Sequence, residues 1–493
     1  HTYPDPDETP VVSNAKSEVE RTLSKAGEEY DAMKRYDMDK PFDLPDGIRS
    51  VPFTKQPKTE MTTLANGLTI ATHDMPGLMC SVALLVKTGS TAELQDGSED
   101  KDNTGVVHTL ELTAFGDTPT MSREEVHGSI EKLGGIVQCV AQRESITFFM
   151  DVFKNKVDES LDILSESVLN ASLSEEEIDS GKADLQFQRE TLPPEFLSKD
   201  AVVMAAYHGQ PLGNSHYCPE NKIEKLTRQK VLDFKSKYFV PENCIISASA
   251  VEHESFVKKV EKAFAGFSVD ARAGASTSVQ PSTYTGGMVV DQRTLREEFV
   301  RCTVAFEVGG WNSDQFVASC VLQTLLGGGS SFSAGGPGKG MYTRLYREIL
   351  NRYGWVESAE AFISCHRDVG LLGIDGSCRA DGIGPVIQVF LDQLIQVTVH
   401  EVTDVELSRA KNMLKSMMFM QLESRLITCE DIAKQLLVYG ERRDTATLCR
   451  QIDAITAADI LKLARSMLKY DPAVAVVGHD VSGAPSYEAI KQF

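Results

Sequence analysis

The chain has 493 residues, too many for one hydrophobic core and enough for two to four domains of roughly 100–200 residues each. With 42% apolar and 25% charged residues, it has neither the charge excess nor the Pro/Gly excess of a disordered chain. No run approaches the roughly 18 apolar residues that span a bilayer, and 50 Lys+Arg against 71 Asp+Glu leave a net charge of −21, which argues against nucleic acid as the main partner and leaves room for a basic one.

Residues 1–58 are acidic and poor in periodic apolar positions, with one weak helical stretch over 17–36 and breakers at Pro41, Pro45 and Gly47. They read as an extension lying on a surface. The chain opens at His1 without a targeting stretch in residues 1–20, which predicts that any leader has been removed or trimmed. Thr62-Thr63-Leu64 leads through Asn66-Gly67 into Leu68–Thr72, and Asn-Gly between alternating apolar residues is a strong hairpin signal. Ser81–Val86 reads as a buried strand and Gly105–Phe115 as a helix. The ten cysteines never fall in C-x-x-C spacing, which predicts buried thiols in a reducing compartment.

The chain repeats itself. Val82–Gly89 recurs as Cys302–Gly309, Leu133-Gly134-Gly135 as Tyr353-Gly354-Trp355, and Phe149-Met150-Asp151 as Gly373-Ile374-Asp375. Ile178–Lys182 matches Leu407–Lys411, Leu226-Thr227 matches Ile455-Thr456, and Tyr238–Pro241 falls where Lys469–Pro472 does. Both Gly134 and Gly354 are expected to cap a helix. Between the copies, 268–287 has the small, polar makeup of a linker. The expected division is an extension over 1–58, a first domain over 59–267, a linker over 268–287 and a second domain over 288–493. Each half is expected to be α+β, a mixed or antiparallel sheet with helices packed on one face.

Two segments bear on function. In Thr104–Leu112, His108 and Glu111 fit part of the inverted zinc motif H-x-x-E-H, in which two His one helical turn apart bind Zn²⁺ and the Glu activates the bound water. The second His position is Leu112, and a catalytic zinc needs three protein ligands plus an open position. No metal and no catalytic residue is therefore expected here. Read alone, an isolated His-x-x-Glu is more often an ordinary polar pair on a helix.

The second segment is Gly327-Gly328-Gly329-Ser330-Ser331-Phe332-Ser333-Ala334-Gly335-Gly336-Pro337-Gly338-Lys339-Gly340. A phosphate loop would need Gly at 333 and Ser or Thr at 340, and it would follow a strand, whereas Phe316–Leu326 reads as a helix. From Gly116 to Gly134 is 18 residues, but from Gly327 to Gly354 is 27, so the stretch is an insertion in the second half. Composition alone suggests a mobile linker, although Phe332, Pro337, Lys339 and Met341 are not linker residues.

The duplicated halves, the H-x-x-E-x helix and the run Gly335–Tyr342 with Arg344-Leu345-Tyr346 and Asn351-Arg352-Tyr353 resemble the pitrilysin-type, inverted-zincin family. The likeness covers roughly 60–490 and falls on the α-subunit side of its mitochondrial processing peptidases. It implies a chain without a catalytic centre or cofactor of its own, in which His108, Glu111 and Leu112 are remnants. Its partner would be a β subunit that keeps H-x-x-E-H, a distal Glu ligand and the zinc. A downstream acidic ligand would fall within 181–190, where no residue can be assigned from the sequence. In that family the glycine-rich loop holds the precursor, which makes Gly327–Gly340 the implied substrate-binding residues and cationic presequences the implied substrate. Ser330 stands where the family commonly has Gly, which stiffens the loop, and Glu357 and Glu360 are further candidate contacts. The implied location is the mitochondrial matrix. Two rivals stay open: a peptidase in its own right, disfavoured by Leu112, and a core subunit of respiratory complex III (ubiquinol–cytochrome c reductase) on the matrix face of the inner membrane, with residues 1–58 as a docking arm.

Overall fold

The computed structural model describes residues 58–94, 102–267, 280–293, 298–330 and 340–492. The expected helix over 17–36, most of the expected linker and residues 331–339 of the glycine-rich stretch lie outside them. Among the described residues, twelve strands form two six-stranded sheets. The first sheet holds β1 (Thr59–Thr63), β2 (Thr69–His73), β3 (Met79–Val86), β4 (Ile136–Ala141), β5 (Ile146–Phe153) and β6 (Cys244–Ser249), in the order β1-β2-β6-β3-β5-β4. The second holds β7 (Gly287–Gln292), β8 (Phe299–Gly309), β9 (Gly328–Ser330), β10 (Val356–Cys365), β11 (Val369–Arg379) and β12 (Ala473–Gly478), in the order β7-β12-β8-β11-β10-β9.

The helices of seven or more residues are α1 (Val106–Leu112), α2 (Arg123–Lys132), α3 (Val157–Leu169), α4 (Glu175–Thr191), α5 (Pro194–Ala206), α6 (Arg228–Tyr238) and α7 (His253–Ala263) in the first half. The second half has α8 (Phe316–Leu326), α9 (Ile383–Val399), α10 (Asp404–Leu422), α11 (Arg425–Tyr439), α12 (Thr445–Ala454) and α13 (Ala457–Met467).

The sheets bear out the repeat. In each, one parallel pair (β2 with β6, β7 with β12) continues into an antiparallel run through β3 and β5, or β8 and β11. The matched helices start alike: Ser174 and Glu177 form a capping box on α4, and Thr403 and Glu406 form one on α10. Thr227 and Thr456 cap α6 and α13. The hairpin forms at Asn66-Gly67, where Gly67 takes φ 93° and Asn66 Oδ1 accepts the Leu68 N–H at 3.1 Å. Gly134 takes the expected left-handed conformation (φ 63°), but Gly354 does not. The segment before Gly354 is a wider π turn over Tyr346–Leu350 rather than an α-helix, so it needs no such cap.

Apart from α5 and α11, the main helices of each half lie on one face of its own sheet, as the element order predicts. In the first half, Ile70, Val82, Leu84, Phe148 and Ile246 pack against Val107, Leu110, Leu164 and Phe234. The opposite face carries the alternate residues, and it is covered by one helix from the other half. Ala71, Leu85 and Ile245 meet Ile432, Ala433 and Leu436 of α11, while Ala83 and Phe149 meet Cys429. Reciprocally, α5 of the first half lays Ala201, Val202 and Ala205 on Ala305, Leu371, Ala473, Ala475 and Val477 of the second sheet. Small residues on the exchanged faces let helix and sheet approach closely. Polar pins fix the register: Ser247 Oγ donates to Cys429 O at 2.8 Å, and Ser198 Oγ donates to Asp375 Oδ1 at 2.9 Å.

Among the described residues one helical segment, Ala380–Val399, is long and apolar enough to cross a membrane by length and composition, contrary to the expectation that no run comes near. In the fold it is α9, and Ile383, Val386, Ile387, Phe390, Leu391, Leu394 and Val397 fill the core of the second half.

Candidate functional site

The remnant of the zinc motif lies on α1. Gly105 (φ 94°) opens the helix, and the buried Glu93 carboxylate accepts the Gly105 and Val107 N–H groups at 3.2 and 2.8 Å and Asn214 Nδ2 at 2.8 Å. Burial pushes Glu93 up to about 8 against those three bonds. His108 is 3% exposed. Its Nδ1 accepts the Cys218 N–H at 3.1 Å and its Nε2 lies 2.9 Å from Gln188 Oε1 on α4. A neutral imidazole offers one donor and one acceptor, so this pairing puts the proton on Nε2 and uses both nitrogens. Burial holds His108 at about 4, against the bond to Gln188, which keeps the ring neutral. Tyr217 packs edge-on to it at 5.7 Å. Burial also pushes Glu111 up to about 7, opposed by a bond from the Ala141 N–H. Leu112 packs against the first core.

These residues do not fit zinc. Of the three ligands required, one position is an alkyl group, and His108 Nε2 is met by an amide oxygen where the resemblance anticipates a carboxylate. Among the described residues no group of three or more His, Cys, Asp or Glu is arranged to hold a metal ion. Without a metal, Glu111 has no bound water to activate.

The glycine-rich stretch begins as structure rather than as loop. Helix α8 ends at Gly327 (φ 60°), and Gly328–Ser330 form the edge strand β9, antiparallel to Ser358–Glu360 of β10. The glycines are required by space. A Cβ at Gly327 would strike the Thr343 side chain, one at Gly328 the Ala359 carbonyl, and one at Gly329 would sit 2.8 Å from the Tyr346 hydroxyl. Residues Ser331, Phe332, Ser333, Ala334, Gly335, Gly336, Pro337, Gly338 and Lys339 lie outside the described residues. At Gly340 (φ 77°) the chain has come back beside its start, for the Gly328 N–H donates to Thr343 Oγ1 at 3.2 Å.

A cavity of about 700 Å³ opens at this root, between the returning turn at 340–343 and α10. Gly327, Gly328 and Gly340 line it, as do Met341, Glu360 and Met413. Glu406, which caps α10, also holds Arg344 at 3.3 Å, and Arg409 lies 5.6 Å from the Tyr342 ring centre. Of the two acidic candidates, Glu360 lines the cavity and Glu357 does not. The structure keeps the zinc remnant and the glycine-rich edge in different halves. Sequence reasoning missed Gln188, whose only signal is its packing against α1. It also missed the wall of α10, where Met413, Met417 and Met420 recur at helical spacing.

The fold and this altered H-x-x-E-x helix define a duplicated, inverted-zincin-type chain, and comparison with known proteins agrees. The family model "Insulinase (Peptidase family M16)" matches residues 68–220, and "Peptidase M16 inactive domain" matches 225–414. The mitochondrial-processing peptidase subunit α of Solanum tuberosum is 35% identical over 446 residues, covering 89% of this chain and 85% of that protein. That of Pongo abelii is 32% identical over 450 residues, covering 88% and 84%. The chain belongs to peptidase family M16, and the mitochondrial-processing peptidase α subunits are among its relatives. It also shares its fold with a chain of the solved "Complex III2 from Candida albicans, Inz-5 bound", at TM-score 0.73 and 19% identity over 88% of this chain and 99% of that one.

Proposed function

We propose that this chain is a non-catalytic subunit that binds cationic presequences and presents them to a zinc-bearing β subunit with an intact H-x-x-E-H, in the mitochondrial matrix. The observation that carries this reading is the occupied imidazole: both nitrogens of His108 are bonded within the chain, and Leu112 replaces the second ligand. Chemistry must then come from a partner. The part left for this chain is holding substrate, and the glycine-rich edge with its adjoining cavity supplies a surface for it. A charge of −21 favours a basic substrate by long-range attraction, screened over about 8–10 Å at physiological salt.

Native purification with size, partner identity and zinc measured together tests the reading. A particle of roughly twice the chain's 54.1 kDa, with zinc in the partner only, is expected. Stoichiometric zinc in the isolated chain would refute it. Excising 330–339 is expected to weaken precursor binding at least tenfold (about 1.4 kcal/mol) while subunit pairing persists. The likeness to a chain of complex III favours a second reading, a core subunit of that complex on the matrix face of the inner membrane. Recovery in a far larger, detergent-solubilised particle would select it.

A further inference from the structure

We propose that Asn66 is a self-modifying amide guarded by the fold: it converts to aspartate only when the β1–β2 hairpin lets go of Phe267, and the conversion then keeps the two apart. The inference is independent of the function proposed above.

Asn66-Gly67 is the only Asn-Gly pair in the sequence, and the residues that suit the turn also suit a reaction. Leu64 N–H donates to Leu68 O and Gly67 N–H donates to Leu64 O, both at 2.9 Å, with Gly67 left-handed. The loop is thus a type I turn closed by a glycine bulge. A glycine after asparagine has no Cβ to hinder its backbone nitrogen, so in a loose chain that nitrogen reaches the asparagine side chain. The Gly67 nitrogen bonds to Asn66 Cγ and loses its proton, the Cγ–Nδ2 bond breaks, and ammonia leaves. Water then opens the succinimide ring, giving aspartate or the isomer in which the backbone runs through the side-chain carbon. Water is the one co-reactant, and Asn66 is partly exposed to it.

Each reacting group is held in the fold. The Gly67 N–H is committed to Leu64 O, Asn66 Oδ1 accepts the Leu68 N–H at 3.1 Å, and Asn66 Nδ2 donates to Phe267 O at 2.9 Å across 201 positions of sequence. The Leu68 bond draws electrons from the amide carbon and by itself favours attack. Restraint therefore falls on the other two, and only the Phe267 bond is set by tertiary structure. It fixes the direction of the amide, so rotation toward the Gly67 nitrogen must break it. Phe267 is 6% exposed and belongs to the first core, with its ring centre 6.2 Å from that of Phe264. After conversion, a carboxylate oxygen stands where Nδ2 stood and faces the Phe267 carbonyl, acceptor against acceptor. The fastening cannot re-form, which makes the step a one-way latch at the end of the first core.

The test keeps the full chain in mildly alkaline buffer, folded or in urea, and follows the peptide that contains residue 66 by mass spectrometry. Conversion is expected to be at least about tenfold slower in the folded chain than in urea. Equal rates in the two states would overturn the guard. A second arm compares N66D with the parent by amide hydrogen exchange. The amides of Phe264 and Phe267 are expected to exchange about tenfold faster in N66D, with exchange in the second half unchanged. N66S, which removes the amide without adding charge, carries this arm if N66D does not fold. Unchanged exchange at Phe267, or an equal rise throughout the chain, would overturn the latch.

Discussion

Leu112 and Gln188 stand where a zinc site would need a second imidazole and a carboxylate, while His108 between them is already oriented by the Cys218 N–H. That bond keeps the ring proton on Nε2, so a metal could bind there only if the Cys218 N–H contact were given up and the proton left Nε2. L112H/Q188E is therefore expected to take up well under one zinc per chain by metal analysis; a folded variant that binds zinc stoichiometrically would show that the Cys218 N–H does not hold the tautomer. Leu112 could be read as a lost ligand from the motif alone. Gln188 could not, because nothing between the two helices fixes a register, and only packing of α4 on α1 brings it to His108. Glu111 gives a pH signature. Its folded carboxyl is raised from 4.5 to about 7, so between those values the folded chain keeps a proton that the unfolded chain has lost. Stability then falls as pH rises through that window and levels off above it. E111Q keeps an acceptor for the Ala141 N–H without the ionisation. Urea denaturation should show it gaining stability over the parent from pH 5 to pH 8, and equal slopes against pH would dismiss Glu111 as the source.

Among the elements, β9 has the least support from its own sequence. Gly-Gly-Ser has poor strand propensity, and it pairs only because β10 offers a free edge and the glycines fit against the Ala359 carbonyl and the Tyr346 hydroxyl. This is why the sequence showed an insertion and not a strand. G328A places a methyl group against that carbonyl at φ 104° and is expected to cost about 1–3 kcal/mol in chemical denaturation. A change within about 0.5 kcal/mol, the usual range for a neutral surface substitution, would mean that the edge strand is dispensable. By contrast, the β1–β2 hairpin, α8 and β3 were legible in advance, since Asn-Gly, helical periodicity and a continuous buried run each act locally. The misplaced cap at Gly354 failed for a related reason: repeat matching carried over a helix end that the second copy replaced with a π turn.

For the molecule as a whole, the repeat made two α+β halves legible but not their exchange of α5 and α11, because no local pattern says which sheet a helix will cover. That exchange makes each half incomplete by itself. A chain ending at residue 267 would leave Ala71, Ala83, Leu85, Phe149 and Ile245 facing water. Expressed alone it should aggregate or bind a hydrophobic dye, and co-expression with 280–493 should restore solubility; a soluble, monomeric half would show the covering helix to be optional. The same interlocking sets a timetable. Ser247 waits for Cys429, 182 positions later, and Ser198 waits for Asp375, 177 later. A chain delivered N-terminus first, from a ribosome or through a translocation channel, cannot close its first sheet until most of its length has emerged. Such long-range closure is slow and leaves apolar surface open to wrong partners in the interval. The newborn chain is thus a natural client for chaperones that shield apolar surface until α11 arrives.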